Sequence, residues 1–296
     1  MKVYYLFYHF IKTGTRYTNY EKNEETYMTK KLIVLDLDGT ALKADQTISD
    51  RTKKALENAR ANGHEVMIAT GRPYRMSHMY YYELALDTPI VNFNGAVFHH
   101  PRDIKFSDAY HQAIDLKTAH ELLDFSTNYA LDNIAAEVQD SVFLRERNAS
   151  VPDMFQQGKD NVFIGDLRNT MTTDPTSLLF FASHDMLQEI SSHMDTRLSN
   201  IVTYRNWGAE WPAMEMTKFG VHKAIGVQAA SRALGIDRKD IIAFGDEDND
   251  LEMLDYAGVG VAMGNAIEPL KNVANTVTLT NEEDGIAVYL EENLGV

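Results

Sequence analysis

The sequence predicts an α/β protein, with a Rossmann-like parallel sheet, helices on both faces of that sheet and an inserted α+β domain. Short apolar runs alternate with amphipathic stretches over 30–98, and the same alternation returns after residue 210. Between them, strand-like runs lie too close together for helical crossovers, which favours antiparallel pairing. We therefore expect a discontinuous core at 30–98 and 210–296, interrupted by a separate domain at 99–209.

The first part of this core has the order strand, helix, strand, helix, strand. Leu32-Ile33-Val34-Leu35 is an apolar, largely branched run, which is typical of a strand buried on both faces. Ser49 can cap the helix that follows, and Gly63 can end it. The predicted elements are strands at 32–35, 65–70 and 89–92, with an extended run at 96–98, and helices at 50–62 and 74–84.

The inserted segment contains a predicted hairpin, because Asp132–Val138 and Ser141–Arg147 are separated only by Gln139-Asp140. Its other predicted elements are strands at 161–164, 177–183 and 199–205 and helices at 116–128 and 185–196. The core then resumes, with predicted strands at 213–216, 240–244, 259–262 and 277–279 and helices at 222–234, 245–256, 266–273 and 283–292.

Composition excludes several classes of function. The chain has 296 residues, 44% of them hydrophobic, and a formal charge of −15 from 28 basic and 43 acidic residues. This charge disfavours binding to nucleic acid or to an anionic membrane, although it allows a small phosphate to be held by a metal or a few basic groups. Cysteine is absent, which excludes disulfides and thiolate chemistry and fits a reducing cytoplasm. No apolar run approaches the ~20 residues that span a bilayer.

Residues 1–27 differ from the rest of the chain. Val3–Ile11 is aromatic-rich and apolar, whereas Thr13–Tyr27 is polar and has no periodicity. The stretch has no convincing cleavage site for a signal peptide. We expect a disordered or added leader before Met28, with a weak membrane-surface anchor as the alternative.

Polar side chains follow three of the predicted core strands. Asp36 and Asp38 end the first strand, Thr70 ends the second and Asp246 follows the strand at 240–244. Residues two apart in a strand point to the same side, and ligands of open parallel sheets bind at the carboxyl ends of the strands. If these strands are neighbours, the four side chains meet in one crevice.

Asp246, Asp248 and Asp250 add further negative charge to that crevice. The macrodipole at a helix start explains Asp248 or Asp250, but it does not explain Asp246 directly after a buried strand and Gly245. Crowded carboxylates call for a cation, and an all-oxygen ligand set favours Mg²⁺.

Four stretches, taken in order, resemble the four motifs of the haloacid dehalogenase superfamily of phosphatases: Asp36-Leu37-Asp38-Gly39-Thr40, Thr70-Gly71-Arg72, Lys223, and Gly245-Asp246-Glu247-Asp248-Asn249-Asp250. Three more resemble the Cof-type branch, whose cap domain of the C2 type lies between the second and third motifs: Asn94-Gly95-Ala96, Met263-Gly264-Asn265-Ala266 and Asn281-Glu282-Glu283-Asp284-Gly285. The resemblance covers about 30–296, strongly in the core and weakly in the cap.

This resemblance implies that Asp36 is the nucleophile and forms an aspartyl phosphate. Asp38 would protonate the leaving oxygen and later take a proton from water. Mg²⁺ would be held by Asp36, the backbone carbonyl of Asp38 and Asp246, with Asp250 close by or acting through water.

The resemblance also implies a set of phosphate- and substrate-binding residues. Thr70 would donate to a phosphate oxygen, with an ordinary helix cap as the alternative. Asn249 would position the catalytic lysine or the phosphate, and Asn94 would contact the substrate near the cap hinge. The full predicted set is Gly39, Thr40, Thr70, Gly71, Arg72, Asn94, Lys223 and Asn249.

Two lysines compete for the role of stabilising the phosphoryl charge. Lys218 lies only five residues before Lys223, but the family phrase aligns better on Gly220-Val221-His222-Lys223. Ala224 replaces the glycine that usually follows. Lys223 is therefore the predicted residue.

Other features fit either a structural or a functional role. His99-His100 suggests a metal pair, but adjacent residues of a strand point to opposite faces, so a solvated loop is favoured. Trp207 and Trp211 either line the site or pack in the core. Arg145 and Arg147 are expected on a solvated face, with substrate contact as the alternative.

The predicted function is a Mg²⁺-dependent phosphatase that hydrolyses small phosphomonoesters, with sugar phosphates first and flavin- or pyridoxal-type phosphates next. The alternatives are a phosphosugar mutase of the same superfamily and a catalytically silent, ligand-binding regulator. The expected partner is a small phosphorylated metabolite, with no nucleic acid and no membrane. We expect a cytoplasmic monomer or weak homodimer, and a cap that selects the leaving group.

Overall fold

The computed structural model describes residues 29–156, 161–197, 200–207 and 212–296. The predicted leader at 1–27 lies outside these residues, as does Trp211. The strands are β1 (Leu32–Leu35), β2 (Glu65–Ile68), β3 (Ile90–Asn92), β4 (Val97–His99), β5 (Tyr110–His111), β6 (Asn133–Val138), β7 (Ser141–Leu144), β8 (Val162–Ile164), β9 (Ser177–Phe181), β10 (Val202–Asn206), β11 (Ala213–Lys218), β12 (Ile241–Gly245), β13 (Val259–Ala262) and β14 (Thr276–Val277). The helices are α1 (Asp50–Ala61), α2 (Tyr74–Glu83), α3 (Leu116–Ser126), α4 (Asp153–Gln156), α5 (Leu167–Thr170), α6 (His184–Arg197), α7 (Lys223–Leu234), α8 (Leu251–Tyr256), α9 (Glu268–Val273) and α10 (Gly285–Leu294).

A parallel sheet with the strand order β14-β13-β12-β1-β2 forms the centre of the core. Successive side chains of β1 point to opposite faces, as a fully buried strand requires. Ile33 and Leu35 pack with α1, α2 and α10, whereas Leu32 and Val34 pack with α7 and α8. The prediction of a Rossmann-like core with helices on both faces is confirmed.

The strand after α2 leaves this parallel sheet early. A single parallel bridge joins Ala69 to Val91 of β3. Strand β3 then forms a small antiparallel sheet with β4 and β5. The chain enters the inserted segment from this small sheet.

The inserted segment contains a second sheet with the strand order β10-β11-β9-β6-β7-β8. Its pairs are antiparallel, except that β7 and β8 run parallel. The predicted hairpin is present as β6 and β7, and Gln139 in its turn has a left-handed φ of 51°. Helices α3 and α6 cover one face of this sheet with apolar side chains. The predicted α+β character of the insertion is confirmed.

The strand predicted at 213–216 belongs to a different sheet from the one expected. We predicted that it returns the chain to the core, but β11 pairs with β9 and β10 of the second sheet. The predicted boundary at 209/210 therefore cuts this sheet, whose pairing continues to Lys218. An apolar run predicts a strand, but its composition does not specify which strands it pairs with. The other domain limits stay predictions.

No helix in the described ranges is long and apolar enough to cross a membrane.

Candidate active site

Three neighbouring core strands bring the predicted residues to one edge of the parallel sheet. Strand β1 lies between β12 and β2, and Asp36, Thr70 and Asp246 follow these three strands. The backbone N–H of Asp36 donates to the carbonyl of Phe244 at 3.2 Å, so the pairing continues to the first catalytic candidate. All three side chains are buried. The carboxyl ends of the strands thus form a crevice, as in other open α/β sheets.

The turn after Asp36 depends on a glycine. Gly39 has a φ of +71°, and a Cβ at this position would collide with the carboxylate of Asp246. The Gly39 carbonyl accepts a hydrogen bond from Asn265 Nδ2 at 2.8 Å. The Thr40 hydroxyl donates to Asp246 Oδ1 at 2.8 Å. Gly39 and Thr40, predicted to bind phosphate, therefore join the β1 turn to the carboxylate that follows β12.

Lys223 lies between two carboxylates. Its ammonium donates to Asp36 Oδ1 at 2.6 Å and to Asp250 Oδ1 at 2.7 Å, and its side chain is 0% exposed. Burial alone would lower the pKa of Lys223, but the Asp250 and Asp36 carboxylates raise it above its ordinary value. Lys223 is therefore a fixed cation. The competing Lys218 is exposed at the end of β11.

Asp36, Asp246 and Asp250 each offer a carboxylate oxygen, and these oxygens lie within 4.8 Å of one another. The pKa of Asp36 is raised well above its ordinary value, mainly because the carboxyl group is buried. The Lys223 ammonium lowers this pKa, whereas the Asp250 and Asp246 carboxylates raise it. Burial also raises the pKa of Asp246 to about 7, against the opposing hydrogen bond from Thr40. Such crowding of hard oxygen donors suits a divalent cation.

Asp250 is engaged on both of its oxygens. Oδ1 accepts from Lys223, and Oδ2 accepts from the backbone N–H groups of Asp246 at 3.0 Å and Glu247 at 3.3 Å. Gly245 makes this possible because a Cβ there would meet the Asp250 side chain. Asp250 therefore fixes the loop that carries Asp246.

Asp38 and Arg72 form an ion pair at the mouth of the crevice. Arg72 Nε donates to Asp38 Oδ2 at 2.8 Å, and its Nη2 donates to Asp38 Oδ1. The Asp38 side chain is 55% exposed. The hydroxyl of Thr70 accepts from the backbone N–H of Arg72 at 3.1 Å, so its oxygen shapes this loop. The helix cap considered for Thr70 is absent, because Pro73 immediately precedes α2.

Asn249 forms a hydrogen bond with Asn94, another of the predicted residues. Its Nδ2 donates to Asn94 Oδ1 at 2.9 Å, and its expected role in positioning Lys223 or the phosphate stays a prediction. Asn94 has a left-handed φ of 53°, and the missing Cβ of Gly71 leaves room beside its side chain. Asn94, Gly71 and Asn249 thus lie together beside the crevice.

A cavity of about 250 Å³ lies between this crevice and the inserted domain. Its walls come from both domains. The core contributes Asp36, Asp38, Gly71, Arg72, Pro73, Met76, Asn94, Glu247 and Asn249, and the inserted domain contributes Glu137, Met154, Phe155, Arg205, Trp207 and Glu215.

Sequence reasoning missed the two glutamates of the inserted domain in this cavity. Glu137 lies in β6 and Glu215 in β11, and both side chains are buried. The available signal was a charged residue inside an otherwise apolar strand, which is uncommon unless the residue is paired or functional. Of the residues left open, Trp207 lines the cavity. The guanidinium of Arg145 binds the backbone carbonyls of Leu131 and Asp132 instead.

The histidine pair lies away from this crevice. His99 and His100 line a second cavity beside α2 and β4, and His99 Nε2 lies 3.3 Å from Asn92 Oδ1. Within the described ranges, the cluster of three or more metal-ligating side chains is the one formed by Asp36, Asp246 and Asp250. His99 is the last residue of strand β4 and so does not belong to the expected solvated loop.

Comparison with known proteins places this geometry in a family. A family model described as haloacid dehalogenase-like hydrolase matches residues 33–290. The 5-amino-6-(5-phospho-D-ribitylamino)uracil phosphatase YitU of Bacillus subtilis (strain 168) is 46% identical over 261 residues, which cover 88% of this chain and 96% of that protein. The pyridoxal phosphate phosphatase YbhA of Escherichia coli (strain K12) is 29% identical over 277 residues, covering 90% of this chain and all of that protein (100%).

A solved structure supports the same fold. The crystal structure of TM0651 from Thermotoga maritima has a TM-score of 0.77 to this chain at 23% identity, covering 89% of this chain and 97% of the other. The matched residues 33–290 include all of the crevice residues described above. The chain belongs to the haloacid dehalogenase-like hydrolases, as a phosphatase of the Cof-type branch.

Proposed function

We propose that this phosphatase cleaves small phosphomonoesters through an aspartyl phosphate on Asp36. The observation that carries the proposal is the buried ion pair of Lys223 and Asp36 at the carboxyl end of β1. Lys223 fixes one oxygen of Asp36, and no hydrogen bond engages the other oxygen within the described ranges. An oriented carboxylate that lines the cavity suits in-line attack on phosphorus. The fixed ammonium also offsets charge on the phosphoryl oxygens.

Asp38 supplies the proton transfers in this proposal. Its half-exposed carboxyl group lies at the cavity mouth, two residues beyond the nucleophile. From there it donates a proton to the leaving oxygen, and it later accepts one from the hydrolytic water. Arg72 holds this side chain through two hydrogen bonds and so limits its rotation.

The donor set fits the predicted Mg²⁺. Asp36 and Asp246, with the backbone carbonyl of Asp38, would hold the ion, and Asp250 lies next to them. A bound Mg²⁺ supplies charge neutralisation between the nucleophile and the phosphate. The chain provides the rest, because Thr40 and Asp250 fix the side chain and loop of Asp246.

The substrate proposed here is a small metabolite that carries its phosphate on a chain attached to a heterocycle. YitU is named for a phosphoribityl-aminouracil and YbhA for pyridoxal phosphate. The aromatic side chains of Phe155 and Trp207 in the cavity suit a planar ring. This choice places flavin-type phosphates ahead of the sugar phosphates that headed the sequence-based prediction.

Phosphate release from a panel of heterocyclic and sugar monophosphates tests both parts of the proposal. We expect kcat/KM to be highest for the heterocyclic esters, and Asp36→Asn to lower kcat by about 10³-fold or more because the amide cannot attack phosphorus. The matched control is Asp255→Asn, an exposed position on α8, which should retain activity. Asp36→Asn protein that folds normally and keeps a tenth of the activity would refute the nucleophile, whereas faster turnover of sugar phosphates would refute the substrate class.

A further inference from the structure

One face of the second sheet, opposite α3 and α6, carries the short helix α4 and lies over the active-site cavity. In β11, Met214 and Met216 pack into the cluster formed with α3 and α6. Side chains alternate along a strand, so Glu215 lies on the opposite face. Strand pairing places Glu215 next to Arg205 of β10, and it places Glu137 opposite Ser177 of β9 on the same face. This face therefore presents two buried carboxylates to the cavity.

The two carboxylates differ in how well they are satisfied. Glu137 accepts from Arg75 Nη2 on one oxygen and from the Ser177 hydroxyl at 3.1 Å on the other. Glu215 accepts one neutral hydrogen bond, from Trp207 Nε1 at 3.3 Å. Its cross-strand neighbour Arg205 pairs with Asp248 of the core rather than with Glu215, and Arg205 Nε lies 2.6 Å from Asp248 Oδ1. In the described part of the chain, Glu215 forms no ion pair within 4.0 Å.

A buried, ionised carboxylate that accepts only one hydrogen bond lowers the stability of the folded state. Desolvation of an ionised group must be offset by hydrogen bonds or by a cation. Burial and the nearby Glu137 raise the pKa of Glu215 to about 7, against the Trp207 hydrogen bond and Arg205, which lower it. A ligand that brings an N–H or ammonium donor to this carboxylate would remove the cost, so the position favours such a ligand.

The surroundings of Glu215 suit a ring. The rings of Phe155 and Trp207 lie 5.9 Å apart between centroids with an interplanar angle of 34°, and both line the cavity with Met154. Aromatic and thioether side chains pack well against a planar heterocycle. A donor on the edge of that heterocycle can then meet the carboxylate beside Trp207.

We propose that Glu215 selects the leaving group by binding an amine or ring N–H donor of a heterocycle packed against Trp207. This inference rests on the proposed function, since it assigns to one residue the choice among phosphate esters. It favours an amino-substituted ring over one that offers only acceptors. A charge-assisted hydrogen bond in a desolvated pocket gives strong discrimination against ligands that lack the donor.

Pyridoxamine 5′-phosphate and pyridoxal 5′-phosphate test this directly, because they differ by a primary amine in place of an aldehyde. For the unaltered protein we expect kcat/KM to be about 10- to 100-fold higher for the amine. In Glu215→Gln this ratio should fall to within about threefold of unity, mainly through the KM of the amine. Glutamine keeps an oxygen for the Trp207 N–H, so a purely structural role predicts no change in the ratio.

The matched control is Glu189→Gln, an exposed glutamate on α6 at the other face of the sheet, which should keep the wild-type ratio. The same ratio in Glu215→Gln and the unaltered protein would overturn the proposal. If both pyridoxal-type esters fail while p-nitrophenyl phosphate is turned over, the heterocyclic substrate class fails instead. The role of Glu215 is then tested with the ratio of kcat/KM for glucosamine 6-phosphate to that for glucose 6-phosphate. If this ratio is the same in Glu215→Gln and in the unaltered protein, the proposed role of Glu215 is overturned.

Discussion

Two buried charged side chains in this protein have opposite surroundings. Lys223 contacts Asp36 and Asp250, so its burial is compensated by two opposite charges. Glu215 has one neutral donor, from Trp207, and a second carboxylate, Glu137, nearby. The first arrangement holds a cation beside the proposed nucleophile, whereas in the second the desolvation of the carboxylate is only partly compensated. The two side chains thus differ in how far hydrogen bonds and opposite charges compensate the burial of their charge.

Glu215 should therefore make stability depend on pH. Burial and Glu137 raise its pKa from 4.5 to about 7 in the folded state, against the Trp207 hydrogen bond and Arg205, which lower it. The folded state then binds a proton that the unfolded state releases, so the free energy of unfolding falls as pH rises from about 4.5 to about 7. Glu215→Gln should remove this loss and be more stable relative to the unaltered protein at pH 8 than at pH 5, by on the order of 1–3 kcal/mol.

Urea unfolding at the two pH values measures this difference. Glu189→Gln should show no such change with pH, because its side chain is exposed. A stability difference for Glu215→Gln that is the same at both pH values would contradict the prediction.

At the scale of elements, the β6–β7 hairpin contacts the first turn of α2. The carboxylate of Asp140 accepts from the backbone N–H of Arg75 at 2.8 Å, and Arg75 Nη1 donates to the Gln139 carbonyl at 3.3 Å. The same guanidinium pairs with buried Glu137. An acidic side chain at a helix N-terminus is favourable, so this contact suits both elements. The hydrogen bonds and ion pair of Arg75 thus join the inserted domain to the core, three residues after Arg72.

Breaking this contact on one side should destabilise the protein. Arg75→Met keeps the aliphatic stem but leaves Glu137 buried without its cation, for which a loss of about 3–5 kcal/mol is typical. The double variant Arg75→Met/Glu137→Gln should recover most of that loss, because no charge is left uncompensated. Chemical unfolding of the single and double variants gives the coupling free energy between Arg75 and Glu137. A double variant that is no more stable than Arg75→Met would disprove this account.

The whole molecule places two sheets around one acidic crevice. The carboxyl edge of the parallel sheet contributes the crowded oxygens of Asp36, Asp246 and Asp250. The face of the second sheet opposite α3 and α6 adds Glu137 and Glu215 to the cavity. The chain has a net charge of −15, and these carboxylates would repel a bound phosphate. A divalent cation at the crevice would offset that repulsion.

Mg²⁺ should therefore stabilise the protein as well as activate it. At a concentration of 100 times its dissociation constant, an ion that binds only the folded state adds about 2.7 kcal/mol, which raises Tm by several degrees in a chain of this size. Chelation should abolish phosphate release, and added Mg²⁺ should restore it. Asp246→Asn should lose most of the Tm shift, whereas Asp237→Asn, an exposed position, should keep it. An equal shift in both variants would contradict the assignment of Asp246 as a ligand.

Much of the core could be predicted because its signals are local. Asp36, Thr70 and Asp246 each follow a short apolar run, and parallel strands have their carboxyl ends at one edge. The choice of Lys223 over Lys218 stays a prediction, which the contact of Lys223 with Asp36 and the exposure of Lys218 support. The hydrogen bond between Asn249 and Asn94 was not predicted, because it joins side chains from two separate loops.

By itself, the sequence determined the order of strands and helices, the Rossmann-like core and the polar residues at the carboxyl edge of its sheet. These follow from side-chain periodicity and short motifs, which act within a few residues of one another. Only the tertiary structure decided that β11 pairs with β9, that Glu137 meets Arg75, and that Glu215 lies over the crevice with one donor. Strand partners and buried charge pairs join residues far apart in the chain, so local pattern does not fix them.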